Sequence, residues 1–190
     1  MFIKAELFSK LMTNKILFEL ILRKVDKMKK ILVQYAAYNL WANQRLVDAI
    51  NNLSDDQIHQ SINSSFFSIY KTLAHLWDVE DIWWQRMKLV DRPEWISKGF
   101  SGSVMELGNN LLQQSKQWKE WIDLTTDAAL EHEFIYRNSK KDQFKQPVFE
   151  AVHHLFNHQT HHRGQLITML RQVGVDKIPN TDLIAFSRKK

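Results

Sequence analysis

Five of the chain's eight histidines fall at positions 153, 154, 158, 161 and 162, within the stretch HHLFNHQTHHRGQLITML. Imidazole is the side chain that takes or gives a proton near neutral pH, and the commonest ligand for transition metals. Which of the five could act is decided by where each one points. On a helix each residue advances about 100°, so with His154 at zero, His158 falls at about 40° and His162 at about 80°. Ala151, Leu155, Leu166 and Met169 fall within about 60° to 120° on the same scale, so His158 and His162 share the apolar stripe that faces a core. His161 and Gln165 lie with His154 at the edge of that stripe. His153, at about 260°, is on the solvent side.

Two imidazoles four residues apart on one buried face can grip one metal ion from a single helix. A third ligand must then come from elsewhere. His75, in TLAHLWDVEDIWW, borders the stripe made by Thr72, Leu76, Val79, Trp83 and Met87. His59 and His132 lie in polar, loop-like sequence and are poor candidates. A pair of core histidines satisfied by other partners remains the alternative on spacing alone, because the glutamate of a zinc protease's HExxH is absent.

Four segments of helical periodicity are placed to carry these side chains. The first, about 29–52, sets Leu32, Tyr35, Ala36, Asn39, Ala42, Leu46, Ala49 and Ile50 on one face. Ser54 and Gln57 then read as a capping box for a short turn. The second, about 66–89, carries His75 and is expected to end at Arg92-Pro93, since the residue before proline avoids helical geometry. The third, about 102–123, opens with Ser103 as cap and Glu106 three residues on. The fourth, about 146–174, carries the histidine row and closes at Gly174. Between the third and fourth, FIYRNSKKDQF reads as a short β-hairpin. One further helical turn is expected near Asn180 and Thr181. With five Gly and three Pro in 190 residues, the expected fold is all-α, a four-helix bundle with a hairpin-like insertion between helices 3 and 4.

The remaining totals narrow the function. No cysteine is present, so a disulfide, a thiolate metal site and a cysteine nucleophile are excluded. The net charge of +5 is dispersed, apart from pairs such as Lys29-Lys30 and Lys140-Lys141 and the terminal Arg188-Lys189-Lys190, so nucleic acid is not the expected partner. No run approaches the roughly 18 apolar residues of a membrane span. Residues 1–27 mix charges into their apolar stretches and lack a cleavage pattern, so they read as an N-terminal extension, an extra amphipathic helix, on a domain covering 28–190. A natural start at Met28 is the other reading of the same stretch. The expected location is the cytoplasm.

NHQTHHRGQLITMLRQVG, at 157–174, resembles the hallmark helix of the DinB/YfiT-like family of metalloproteins. YNLWANQRLVDAI at 38–50, LAHLWDVEDIWWQRM at 73–87 and PNTDLIAF at 179–186 resemble its other segments. The likeness covers about residues 28–186. It implies an up-down-down-up four-helix bundle, a homodimer, and a divalent metal held by His75, His158 and His162. It also implies chemistry on a small-molecule substrate, as a hydrolase or as an S-transferase using a low-molecular-weight thiol. A bundle that binds metal or a small ligand without turnover is the alternative. Imidazole suits zinc, nickel, copper and iron; zinc or nickel is expected first, then iron. His154 is read as lining the pocket.

Three further expectations attach to these helices. Asp78, Glu80 and Asp81 are read mainly as surface charge. Trp41, Trp77, Trp83 and Trp84 are read as core packing, with an apolar pocket over the metal as the functional alternative. Gly164 is expected to mark a close helix contact, within the bundle or across a dimer.

Overall fold

The structure is a computed structural model that describes residues 28–188. The expectations placed on residues 1–27 and on Lys189-Lys190 lie outside the described residues. Helix α1 occupies 28–50. It is followed by α2 (Asp55–His59), α3 (Ile69–Met87), α4 (Val104–Leu124), α5 (Asp127–Glu131), β1 (Glu133–Arg137), β2 (Gln143–Pro147), α6 (Val148–Gln172) and α7 (Leu183–Ser187). The four long helices α1, α3, α4 and α6 make a four-helix bundle. Among the described residues no helix is long and apolar enough to cross a membrane.

Local chemistry sets most of the boundaries. Ser54 and Ser103 both make reciprocal capping boxes, with Gln57 and Glu106, which satisfy backbone donors left free in a first helical turn. Gly174 ends α6 with φ +88°, a conformation that costs a residue without a Cβ little. The hairpin forms as expected, with Phe134 opposite Gln146 and Tyr136 opposite Phe144. The second helix is shorter than the periodicity predicts. It starts only after Ser68, whose side chain caps Lys71 N. It ends at Met87 and not at Pro93, because Leu89 takes a left-handed φ of +56°.

The core is divided in two. Leu46, Ile50, Leu73, Leu76, Leu111, Leu166 and Leu170 fill one half. Ala36, Val79, Trp83, Trp118, Ile122, Leu155 and Phe156 fill the other. Between them on all four long helices lies a buried polar layer: Asn39, Asn43, Glu80, Ser115 and Arg163. Within the bundle, the close helix approach expected at Gly164 is found elsewhere. A Cβ at Gly164 would meet nothing within 4 Å, whereas one at Gly108 would lie 2.7 Å from Val47 Cγ1. It is Gly108 that lets α4 press against α1.

Candidate metal centre

His158 and His162 stand one turn apart on α6 and face His75 across the groove to α3. The Nε2 atoms of His158 and His162 are 3.2 Å apart. Ring centroids lie 4.3 Å apart for His158 and His162, 4.6 Å for His75 and His162, and 5.2 Å for His75 and His158. One nitrogen from each of the three rings can be chosen so that all lie within 4.8 Å of one another. Two nitrogens bound tetrahedrally to one ion at about 2.0–2.1 Å would themselves be about 3.3–3.4 Å apart, which is close to the observed Nε2 pair.

The electrostatics suit a neutral donor set. Burial, helped by the neighbouring imidazoles, lowers His75 to about 3 and His158 to about 4. Burial also lowers His162, against a hydrogen bond to Gln165 that raises it. All three rings therefore keep lone pairs at neutral pH, the form that a metal ion requires. Gln165 Oε1 sits 2.7 Å from His162 Nδ1. With Nδ1 protonated and donating to that oxygen, Nε2 presents its lone pair to the group's centre. His158 Nδ1 is buried without a partner among the described residues. The donor chemistry, the spacing and the tautomer set by Gln165 fit a divalent ion.

The other histidines stay outside this group. His154 is exposed, its ring 5.9 Å from His158 and 5.4 Å from Trp83. His161 is exposed beside His162, and exposed His153 lies against Tyr35. His59, on α2, and His132, at the cap of α5, are exposed and not part of the group.

Two aromatic rings flank the group, neither of them among the four tryptophans singled out above. Phe66 stacks on His75 at 4.0 Å and meets His162 edge-on at 5.4 Å. It is placed by a three-residue turn in which Ser68 N donates to Phe66 O at 2.9 Å around Phe67, whose φ is +63°. Such a turn at positive φ is rare and strained. Trp95 lies 6.4 Å from His75. Of the expected four, Trp77 packs on Phe100, Trp84 on Trp118 and Trp41 on Phe186. Trp83 alone touches the row, through His154. A cleft of about 350 Å³ opens beside His75, between Phe66, Tyr70 and Phe100.

The three acids of α3 are buried, contrary to the expected surface role. Asp78 accepts from Ser97 N at 2.8 Å and Ser97 Oγ at 2.6 Å. Asp81 accepts from Gln85, which also exchanges two bonds with the backbone of Glu94. Together they strap the 94–97 segment to α3 and so bring Trp95 to His75. Glu80 belongs to the polar layer. Asn39 Nδ2 and Asn43 Nδ2 donate to its Oε1 at 2.8 and 3.2 Å, and Ser115 Oγ lies 2.8 Å from its Oε2. The same two asparagines present their oxygens to Arg163 Nη1, at 2.5 and 3.1 Å. They are dipoles held between a buried guanidinium and a buried carboxyl. Burial pushes Glu80 up to about 7, against these hydrogen bonds and the pull of Arg163. Arg163 directly follows His162, so the layer fixes α6 at the turn that carries two of the three rings. One sign of it is local: two asparagines four apart on an apolar stripe require polar partners.

Known proteins share the sequence pattern and the fold. The sequence model of the DinB family matches residues 24–189. The chain is 30% identical over 162 residues to "Protein DinB" of Bacillus subtilis (strain 168), an alignment covering 75% of this chain and 86% of the relative. A DinB-like protein from Bacillus cereus ATCC 10987 superposes with a TM-score of 0.57 at 19% identity, over 73% of this chain and 89% of its own. YfiT from Bacillus subtilis superposes with a TM-score of 0.57 at 18% identity, over 80% of this chain and 89% of its own. YfiT is described as "a probable metal-dependent hydrolase with an unusual four-helix bundle topology". On the family match and the identity to a curated relative, the chain belongs to the DinB family.

Proposed function

We propose that His75, His158 and His162 hold one divalent metal ion, zinc or nickel before iron. We propose further that the protein is a metal-dependent enzyme acting on a small molecule, as a hydrolase or as a low-molecular-weight-thiol S-transferase. The observation that carries this reading is the convergence of three neutral imidazoles from two helices, with donor atoms within 4.8 Å. Three protein ligands leave coordination positions free, and a metal so held lowers the pKa of a bound water or activates a substrate thiolate. The chain's own residues would do the rest. Gln165 orients His162, Phe66 and Trp95 supply apolar walls, and the Asp78 strap holds Trp95 in place. With no cysteine in the chain, any thiolate would belong to the substrate. We also take residues 1–27 as an extension to the 28–190 domain, and the active form as a cytoplasmic homodimer.

The test is turnover of an ester and amide panel, and of electrophiles offered with low-molecular-weight thiols, by metal-loaded protein and by His158→Ala. Loss of activity in His158→Ala supports the reading. Activity that survives the substitution opposes it.

A further inference from the structure

The C-terminal turn of α3 meets the hairpin at a second, separate cleft of about 220 Å³. Arg86 lines it. Its guanidinium lies 4.6 Å from the Trp83 ring and 5.3 Å from the Tyr136 ring. It makes no hydrogen bond or ion pair to any described residue, and its Nε is buried without a partner. The nearby Tyr136 hydroxyl donates to Gln146 Oε1 at 2.5 Å and makes no hydrogen bond to Arg86. A buried, unpartnered donor costs about 1–3 kcal/mol. The cation–π contacts account for where the head is held, yet among the described residues its N–H groups have no hydrogen-bond acceptor.

The surroundings define what those N–H groups would take. Leu89, Val90 and Ile135 are exposed apolar side chains on the cleft wall, and Arg137 adds a second cation. Leu89 holds a left-handed φ of +56°, an uncommon conformation for a bulky residue. Two acids temper the charge. Asp91 lines the cleft and lies 3.8 Å from Arg92, and Glu150 lies beside Tyr136. A planar guanidinium matches a carboxylate in shape as well as charge. The neighbouring carboxylates disfavour a dianion such as a phosphate monoester by like-charge repulsion.

We infer that the cleft between the end of α3 and the β1–β2 hairpin binds a carboxylate carried on an apolar group, with Arg86 as its anchor. The cleft shares no lining residue with the three-histidine group, and Arg86 is eleven residues beyond His75 on the same helix, about 16 Å along its axis; Trp83, under Arg86, also touches His154, whose ring lies 5.9 Å from His158. The cleft does not depend on the three-histidine group holding a metal.

The test is calorimetric titration of the full chain with 3-phenylpropionate, 3-phenylpropanamide and phenyl phosphate. The acid should bind at least about tenfold more tightly than the amide, as a charge-assisted contact requires. Phenyl phosphate should bind more weakly than the acid. In Arg86→Gln the preference for acid over amide should vanish, whereas Arg86→Lys, which keeps the charge, should retain part of it. If Arg86→Gln does not fold, the comparison in the unaltered protein and in Arg86→Lys decides. Equal binding of acid and amide, an unchanged preference in Arg86→Gln, or tighter binding of the phosphate would overturn the inference. His158→Ala should leave the preference intact, so failure of the metal reading is distinguishable from failure of this one.

Discussion

Gln165 Oε1 lies 2.7 Å from Nδ1 of His162, three residues earlier on the same helix. The contact fixes one ring of the histidine group from behind. Partners of this kind commonly change metal affinity by about 10- to 100-fold when removed. Gln165→Leu should therefore weaken metal binding by about that factor while leaving the helical fold intact. Competition against a chromophoric chelator, with circular dichroism as control, measures both.

The buried layer makes a second claim. Arg163 is 2% exposed and Glu80 is fully buried, with Asn39 and Asn43 between them. Removing one charge leaves the other uncompensated in the core, a change that typically costs about 3–5 kcal/mol. Arg163→Met should lower the unfolding free energy by about that amount, read from urea denaturation. A change below about 1 kcal/mol would mean that the layer adds little to stability.

Glu80 also predicts a pH dependence. Its carboxyl is raised from 4.5 to about 7 in the folded state. The folded protein therefore holds a proton that the unfolded chain has released between these values. This contribution to stability is fully present below about pH 4.5 and is lost as pH rises through about 7. Other groups titrate in the same range, so the quantity to compare is the difference between the unaltered protein and Glu80→Gln. That difference should move against the unaltered protein by about 3 kcal/mol between pH 4.5 and 8, since one pKa unit corresponds to about 1.4 kcal/mol. A difference that stays flat over this range would contradict the assignment.

Asp78 carries a fourth expectation. Its two bonds to Ser97 hold the segment that brings Trp95 beside His75. Asp78→Ala should free that segment, with faster tryptic cleavage after Lys98 and a shifted tryptophan emission. Hydrogen bonds to a charged group are each worth about 1.5–3 kcal/mol, so a measurable loss of global stability should accompany it.

Much of this architecture is legible in the residues alone. Periodicity places the four long helices, and the capping serines mark two helix starts. The helical wheel separates His158 and His162 from His153, and the structure brings both together with His75. The illegible parts are those set by contacts between segments distant in the chain. Arg163 and Asn39 are 124 residues apart, and nothing local to either one announces the other. Asp78, Glu80 and Asp81 look like solvent-facing acids until the 94–97 segment and the asparagines of α1 supply their donors. The early end of α3 follows from the left-handed Leu89, which no proline or glycine signals. Gly164, conspicuous beside the histidines, faces open space, while the quieter Gly108 carries the tight helix contact.

Elemental analysis of the purified full chain, with single-histidine variants alongside, addresses the site most directly. About one divalent ion per chain is expected in the unaltered protein, lost in His75→Ala and in His162→Ala and kept in His153→Ala, whose ring lies on the exposed side of α6. A protein that takes up no ion when supplied with zinc or nickel, or variants at 75 and 162 that keep a full complement, would contradict it.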